Sequence, residues 1–243
     1  MSLLKLEGVG KHFGGIVAVR SLSFAVEECE TLGIMGANGA GKTTVFSLIA
    51  GNQRPSEGSI HFDGSRIDSL RADAVNRRGI ARTYQIVRPF AGMSLLENVA
   101  IGVMYGTVQE RSSAAATIQA GNLLAEVGLA DRAHDLAGEL TLAGRKRLEI
   151  ARALATGPRI LMLDEVLAGL TPVEVDEALE MIRNLKRRHN LTLIVIEHVM
   201  HALMRLCGRI VVLHHGEKIA EGAPEAVAND PLVIEAYLGS PKP

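Results

Sequence analysis

The feature that most constrains this chain is a short loop, Gly36-Ala37-Asn38-Gly39-Ala40-Gly41-Lys42-Thr43, which fits the pattern G-x-x-x-x-G-K-[ST]. It follows an apolar, strand-like run over residues 31–35 and leads directly into a helical run over residues 44–50. That strand-loop-helix context narrows the reading more than the pattern does. Glycines let such a loop wrap closely around phosphate oxygens, where side chains would collide. The freed backbone N–H groups and the start of the next helix then face a polyanion. In that setting Lys42 reaches the β- and γ-phosphates of a nucleoside triphosphate such as ATP, and the Thr43 hydroxyl ligates Mg²⁺. Thr44 joins the loop residues expected to hold the nucleotide. The loop by itself does not separate transport ATPases from nucleoside kinases, GTPases or motor proteins.

The rest of the chain fits a globular protein. Its 243 residues suit one large α/β domain or two small ones. With 47% hydrophobic and 22% charged residues it can bury a core and is not expected to be disordered. Lys and Arg number 26 against 27 Asp and Glu, a balance that argues against nucleic acid as the main partner. Cys29 and Cys207 are far apart and form no C-x-x-C pair, so a reduced, cytosolic setting is the simple expectation. The first residues lack the basic and apolar regions of a signal peptide. No apolar run approaches the ~20 residues that span a bilayer. Work at a membrane would therefore require docking onto something that spans it.

Apolar, β-rich runs recur at residues 3–7, 22–26, 31–35, 60–62, 160–163, 191–196 and 210–213. Those at 31–35, 160–163 and 191–196 are almost purely apolar, as strands covered on both faces of a parallel sheet are. The N-terminal pair, with the Asp63-Gly64 and His215-Gly216 turns, looks like antiparallel hairpins. Residues 173–188 place Val175, Ala178, Leu179, Ile182 and Leu185 on one helical face. The segment opens with Thr171-Pro172-Val173-Glu174, a capping box with proline at the first helical position. Residues 86 to about 153 carry helix formers and no convincing strand, which suggests a helical insertion.

A second acidic motif bears on the loop. Ile160-Leu161-Met162-Leu163 runs into Asp164-Glu165. Ligands of open parallel sheets sit at the carboxyl ends of strands. Asp164 is placed to hold Mg²⁺ through its water shell, and Glu165 to polarise a water attacking the γ-phosphate. The apolar run 191–196 ends in Glu197-His198, so His198 points to the same end of the sheet. His198-x-x-His201 lacks the further Cys or acidic ligands of a metal site.

Together the loop, the Leu163-Asp164-Glu165 strand end followed by Ala168-Gly169-Leu170, and the run closing on His198 resemble the ATPase subunits of ABC transporters over essentially the whole chain. The resemblance implies an α/β fold: a P-loop (RecA-like), mainly parallel sheet core with an antiparallel N-terminal β subdomain and an inserted α-helical subdomain. The expected division is 1–85 with 154–223 as the nucleotide-binding core, 86–153 as the helical subdomain and 224–243 as a helical tail. The resemblance also assigns residues. Gln85, after Tyr84, falls at the family's Q-loop glutamine, which contacts Mg²⁺ and the attacking water. Phe13 falls where an aromatic ring stacks on adenine. Leu140-Thr141-Leu142-Ala143-Gly144 stands where the family has its LSGGQ signature, before Arg147-Leu148-Glu149-Ile150-Ala151-Arg152. Thr141 keeps the serine hydroxyl, but Ala143 replaces the second glycine, Gly144 the glutamine, and Thr171 an aspartate that usually follows Ala-Gly-Leu. In the family the signature binds the γ-phosphate of the ATP held by the other subunit.

Ala81-Arg82-Thr83-Tyr84-Gln85, Arg88-Pro89-Phe90, Leu96-Glu97-Asn98, Ile196-Glu197-His198-Val199-Met200 and Glu235-Ala236-Tyr237-Leu238-Gly239 look like the branched-chain, or hydrophobic, amino-acid uptake branch. Importers of urea and short amides share much of this. The resemblance implies integral membrane permease subunits and, indirectly, a solute-binding protein as partners. It places the chain peripherally on the cytoplasmic side of the inner membrane, as a homodimer or with a paralogous ATPase subunit. A P-loop kinase of small metabolites, a non-transport ABC ATPase and a catalytically weak nucleotide-binding subunit stay open at this point.

Overall fold

A computed structural model describes residues 2–84, 88–197 and 200–238. Along the chain the elements are β1 (Ser2–Phe13), β2 (Ile16–Glu27), β3 (Thr31–Met35), α1 (Lys42–Ile49), β4 (Glu57–Phe62), β5 (Ser65–Arg66), α2 (Ala72–Arg77), β6 (Ile80–Arg82), α3 (Leu95–Tyr105), α4 (Ser113–Glu126), α5 (Leu142–Ala155), β7 (Ile160–Asp164), α6 (Pro172–His189), β8 (Thr192–Ile196), α7 (Met200–Leu206), β9 (Arg209–His214), β10 (Glu217–Gly222), α8 (Pro224–Ala228) and α9 (Pro231–Leu238). They group into two compact units, residues 1–72 with 192–243, and residues 73–191.

The first unit holds two sets of strands. One is antiparallel, in the order β2-β1-β4-β5. Residues 3–7 expand into the twelve-residue β1, which continues past register shifts at Leu6/Val9 and Val9/Lys11 to the Gly14-Gly15 turn. In the other set, β3 pairs in parallel with β8 on one side and β9 on the other, and β10 closes antiparallel on β9. β3 and β8 are buried at every residue, which is why their sequences are apolar without alternation. Both expected hairpin turns form. Asp63-Gly64 and His215-Gly216 have positive φ at both positions, as two-residue turns joining twisted antiparallel strands require. β10 escapes the sequence pattern because Glu217–Gly222 is a half-exposed edge strand with little apolar content.

The second unit pairs β6 with β7 in parallel, Ile80 opposite Ile160. Among described residues 88–153 the regular elements are helical. α3 and α6 each carry a complete capping box, Ser94 with Glu97 and Thr171 with Glu174. Ala178, Leu179, Ile182 and Leu185 of α6 are buried, and Val175 is half-buried. Leu191 stands outside β8: its N–H bonds the Lys186 carbonyl at the end of α6, past Asn190 in the left-handed region. No described helix is long and apolar enough to cross a membrane.

Candidate nucleotide-binding site

In the first unit, β3 ends at Met35 and α1 begins at Lys42, so residues 36–41 form the connecting loop. Lys42 is buried, and its ammonium donates to the carbonyls of Gly36 at 2.7 Å and Ala37 at 3.1 Å. The Ala40 N–H bonds the Ala37 carbonyl. A Cβ on Gly41 (φ +102°) would lie 2.6 Å from the Ala18 carbonyl oxygen, and one on Gly36 would lie 2.4 Å from that of Leu213. Neighbouring main chain thus already forbids side chains at both positions. Asn38 and Gly39 are exposed at the loop's tip. Gly41 caps α1 without a side-chain acceptor, and no acid lies in the first turn, so the helix presents an un-neutralised positive dipole. Thr43 is exposed and Thr44 half-buried. These features fit a bound polyphosphate. Phe13 closes β1 with its ring 44% exposed and Lys11 Nζ 5.0 Å from the centroid, so it is a surface ring and not a core residue.

One supporting contact was not legible in the sequence. The sequence marks His215-Gly216 only as a hairpin turn, yet Gly216 is buried and its N–H donates to the Ala40 carbonyl, bracing the phosphate loop from the β9–β10 hairpin. His215 itself is exposed.

In the second unit, β7 ends at Asp164, which is 1% exposed. Its carboxylate accepts from Arg82 at 2.7 Å, and its N–H donates to the Thr83 hydroxyl. Arg82 also lies 5.1 Å from the Tyr84 ring centroid. A carboxylate at this strand end is the kind of oxygen donor that suits a hard cation such as Mg²⁺. Glu165 follows with φ +52°, a costly conformation for a non-glycine residue. Its carbonyl accepts from the Lys146 ammonium at 2.8 Å.

Thr141 caps α5, its hydroxyl accepting from the Gly144 N–H at 3.3 Å. Ala143 is half-buried and Gly144 buried, 3.1 Å separating a would-be Cβ there from Leu140 Cδ2. Farther along α5, Glu149 is buried and accepts from the Tyr84 N–H at 2.5 Å. Burial pushes its carboxyl up to about 7, against the opposing pull of the Tyr84 amide and of Arg152 and Lys146. Gln85 and His198, the expected Q-loop glutamine and switch histidine, lie outside the described residues.

The ABC transporter family profile matches residues 19–168, more than half of the chain. The chain belongs to the ABC transporter ATP-binding family. A second profile, of the branched-chain amino acid ATP-binding cassette transporters, matches residues 217–242. The cassette is 39% identical to the high-affinity branched-chain amino acid transport ATP-binding protein BraF of Pseudomonas aeruginosa, over 98% of each chain. It is 37% identical to LivG of Escherichia coli, of the same description, again over 98% of each. Among solved structures it resembles a nucleotide-free ATP-binding cassette of an ABC transporter, with TM-score 0.89 and 29% identity over 99% of this chain and 100% of that one. A cassette solved in its ADP conformation superposes with TM-score 0.88 at 29% identity, over the same shares. The class is therefore α/β in the manner of these cassettes.

Proposed function

We propose that the chain is the ATP-hydrolysing subunit of an importer of branched-chain or other hydrophobic amino acids. It would work peripherally on the cytoplasmic side of the inner membrane, docked on integral permease subunits that a solute-binding protein supplies. The observation that carries the ATPase reading is the phosphate loop, with Lys42 folded under it and α1, which has no side-chain cap, behind it. The cargo reading rests on full-length similarity to BraF and LivG and on the C-terminal profile.

In this reading Lys42, residues 36–41 and the first-turn amides at Thr43 and Thr44 bind the triphosphate, and Phe13 stacks on the adenine. Glu165 polarises the attacking water and takes up its proton. His198 hydrogen-bonds the γ-phosphate and Glu165. Thr43, Gln85 and Asp164 would hold Mg²⁺, which when bound supplies charge neutralisation at the phosphates. Thr141, Ala143 and Gly144 face the ATP of the opposite subunit in a head-to-tail dimer, either of two such chains or of this chain and a paralogue. Residues 86–153 serve as the helical subdomain, 1–85 and 154–223 as the core and 224–243 as the tail. The amide-rich start of α5 suits an anion even with Ala143 in place of glycine, because its first turn carries no acid.

The test is Glu165→Gln. The variant should lose turnover while keeping ATP binding, and should migrate as an ATP-dependent dimer in size-exclusion chromatography. Wild type and variant both remaining monomeric with saturating ATP would count against the sandwich.

A further inference from the structure

α5 buries two side chains of opposite charge three residues apart, Lys146 and Glu149, each 7% exposed. That spacing puts both on one face of the helix, where Leu148, Ile150 and Ala151 around them are also buried. Burying charge is costly unless it is used, and apolar replacements of buried ion pairs are often neutral or stabilising. Here both side chains bond main chain. Lys146 donates to the carbonyl of Glu165, and Glu149 accepts from the N–H of Tyr84, the residue before Gln85. Three residues on, Arg152 donates to the Arg88 carbonyl at 3.3 Å and lies 5.2 Å from the Phe90 ring centroid. Phe90 is fixed in turn by buried Asn98, which accepts from its N–H and donates to its carbonyl.

We infer that Lys146 and Glu149 are positioning residues for hydrolysis: one face of α5 sets the main chain at Glu165 and at the entry to Gln85, and ties both to the helix that Thr141 caps. The inference rests on the function proposed above. A 14-residue helix is a stiff element. When Thr141 engages a second nucleotide, the displacement of α5 reaches the main chain of the water-polarising glutamate through Lys146 and that of Tyr84 through Glu149. A purely structural role would need the pair only for folding.

The experiment compares Lys146→Met and Glu149→Ala with Lys146→Arg, which keeps a donor, and Glu149→Gln, which keeps an acceptor. Each full-length chain, in complex with its permease subunits, is assayed for kcat of ATP hydrolysis and, separately, for the Kd of a fluorescent ATP analogue. The Met and Ala variants should lose roughly tenfold or more in kcat with Kd within about twofold, and the Arg and Gln variants should recover most of kcat. Met and Ala variants that fold and keep kcat within about twofold of wild type overturn the inference. So do conservative variants that lose as much as the truncations. An inactive wild-type complex overturns the function reading and this inference with it, whereas active wild type with unaffected variants overturns the inference alone.

Discussion

The ammonium of Lys146 and the main-chain oxygen of Glu165 lie 2.8 Å apart, the first on α5 and the second one residue beyond β7. The bond reaches the residue proposed to polarise the attacking water, and it does so where the backbone is in the left-handed region, φ +52°. Such conformations cost about 1–3 kcal/mol and persist only where surrounding contacts fix them. Lys146 is one of those contacts.

The Glu149 carboxyl gives the fold a pH dependence. Burial holds its folded value at about 7, against 4.5 for the ordinary group. Between those values the folded chain keeps a proton that the unfolded chain has released. Its contribution to stability is therefore full at low pH, declines as pH rises toward about 7, and is level beyond. The decline is on the order of 3 kcal/mol at most. Thermal unfolding of Glu149→Gln, which has no proton to lose, should gain on wild type as pH is raised from about 5 to about 8. Parallel pH profiles for the two proteins would rule this out.

Asp164 and Arg82 form a buried ion pair, side chains 1% and 7% exposed. Arg82→Leu withdraws the guanidinium from a carboxylate that water barely reaches. A loss of about 3–5 kcal/mol in unfolding free energy is expected, read from denaturant titration. A change below about 1 kcal/mol would mean the carboxylate is well satisfied without it.

Gly41→Ala should damage the phosphate loop. The new methyl would meet the Ala18 carbonyl at 2.6 Å, at a backbone φ of +102° that alanine resists. Binding of a fluorescent ATP analogue should weaken about tenfold or more, with some loss of stability. Unchanged affinity would show that the β2 main chain yields.

The phosphate loop and the capping box at Thr171 were legible because each is local. Spacing, glycine and capping chemistry specify them within a few residues, and the fully buried β3, β7 and β8 show as apolar runs. What stayed hidden depends on burial that sequence does not display. β10 is polar and lies at an edge, and β6 has only three residues. Lys146 and Glu149 look like ordinary charges on a helix until α5 is seen to bury both beside Leu148 and Ile150. The one local hint was the company they keep, a charged residue inside the apolar run Leu148-Glu149-Ile150-Ala151. Asp164 was read as a metal ligand from its strand end, but its partner Arg82 is 82 residues away and only the pairing of β6 with β7 brings them together.

Thr171→Ala tests the α6 cap. It removes the hydroxyl that accepts from the Glu174 N–H at 3.4 Å and donates to the Glu174 carboxylate at 2.9 Å. A cost of about 1 kcal/mol and a Tm lower by about 2–4 °C are expected. A Tm unchanged within a degree or so would assign the helix start to Pro172 and packing alone.

The most direct measurement is ATP hydrolysis by the chain purified with its permease subunits, with and without the cognate solute-binding protein carrying leucine, isoleucine or valine. Hydrolysis stimulated by the loaded protein and abolished by Glu165→Gln is the expected result. Hydrolysis indifferent to all three ligands, or turnover surviving Glu165→Gln, would contradict the assignment of cargo in the first case and of the water-polarising residue in the second.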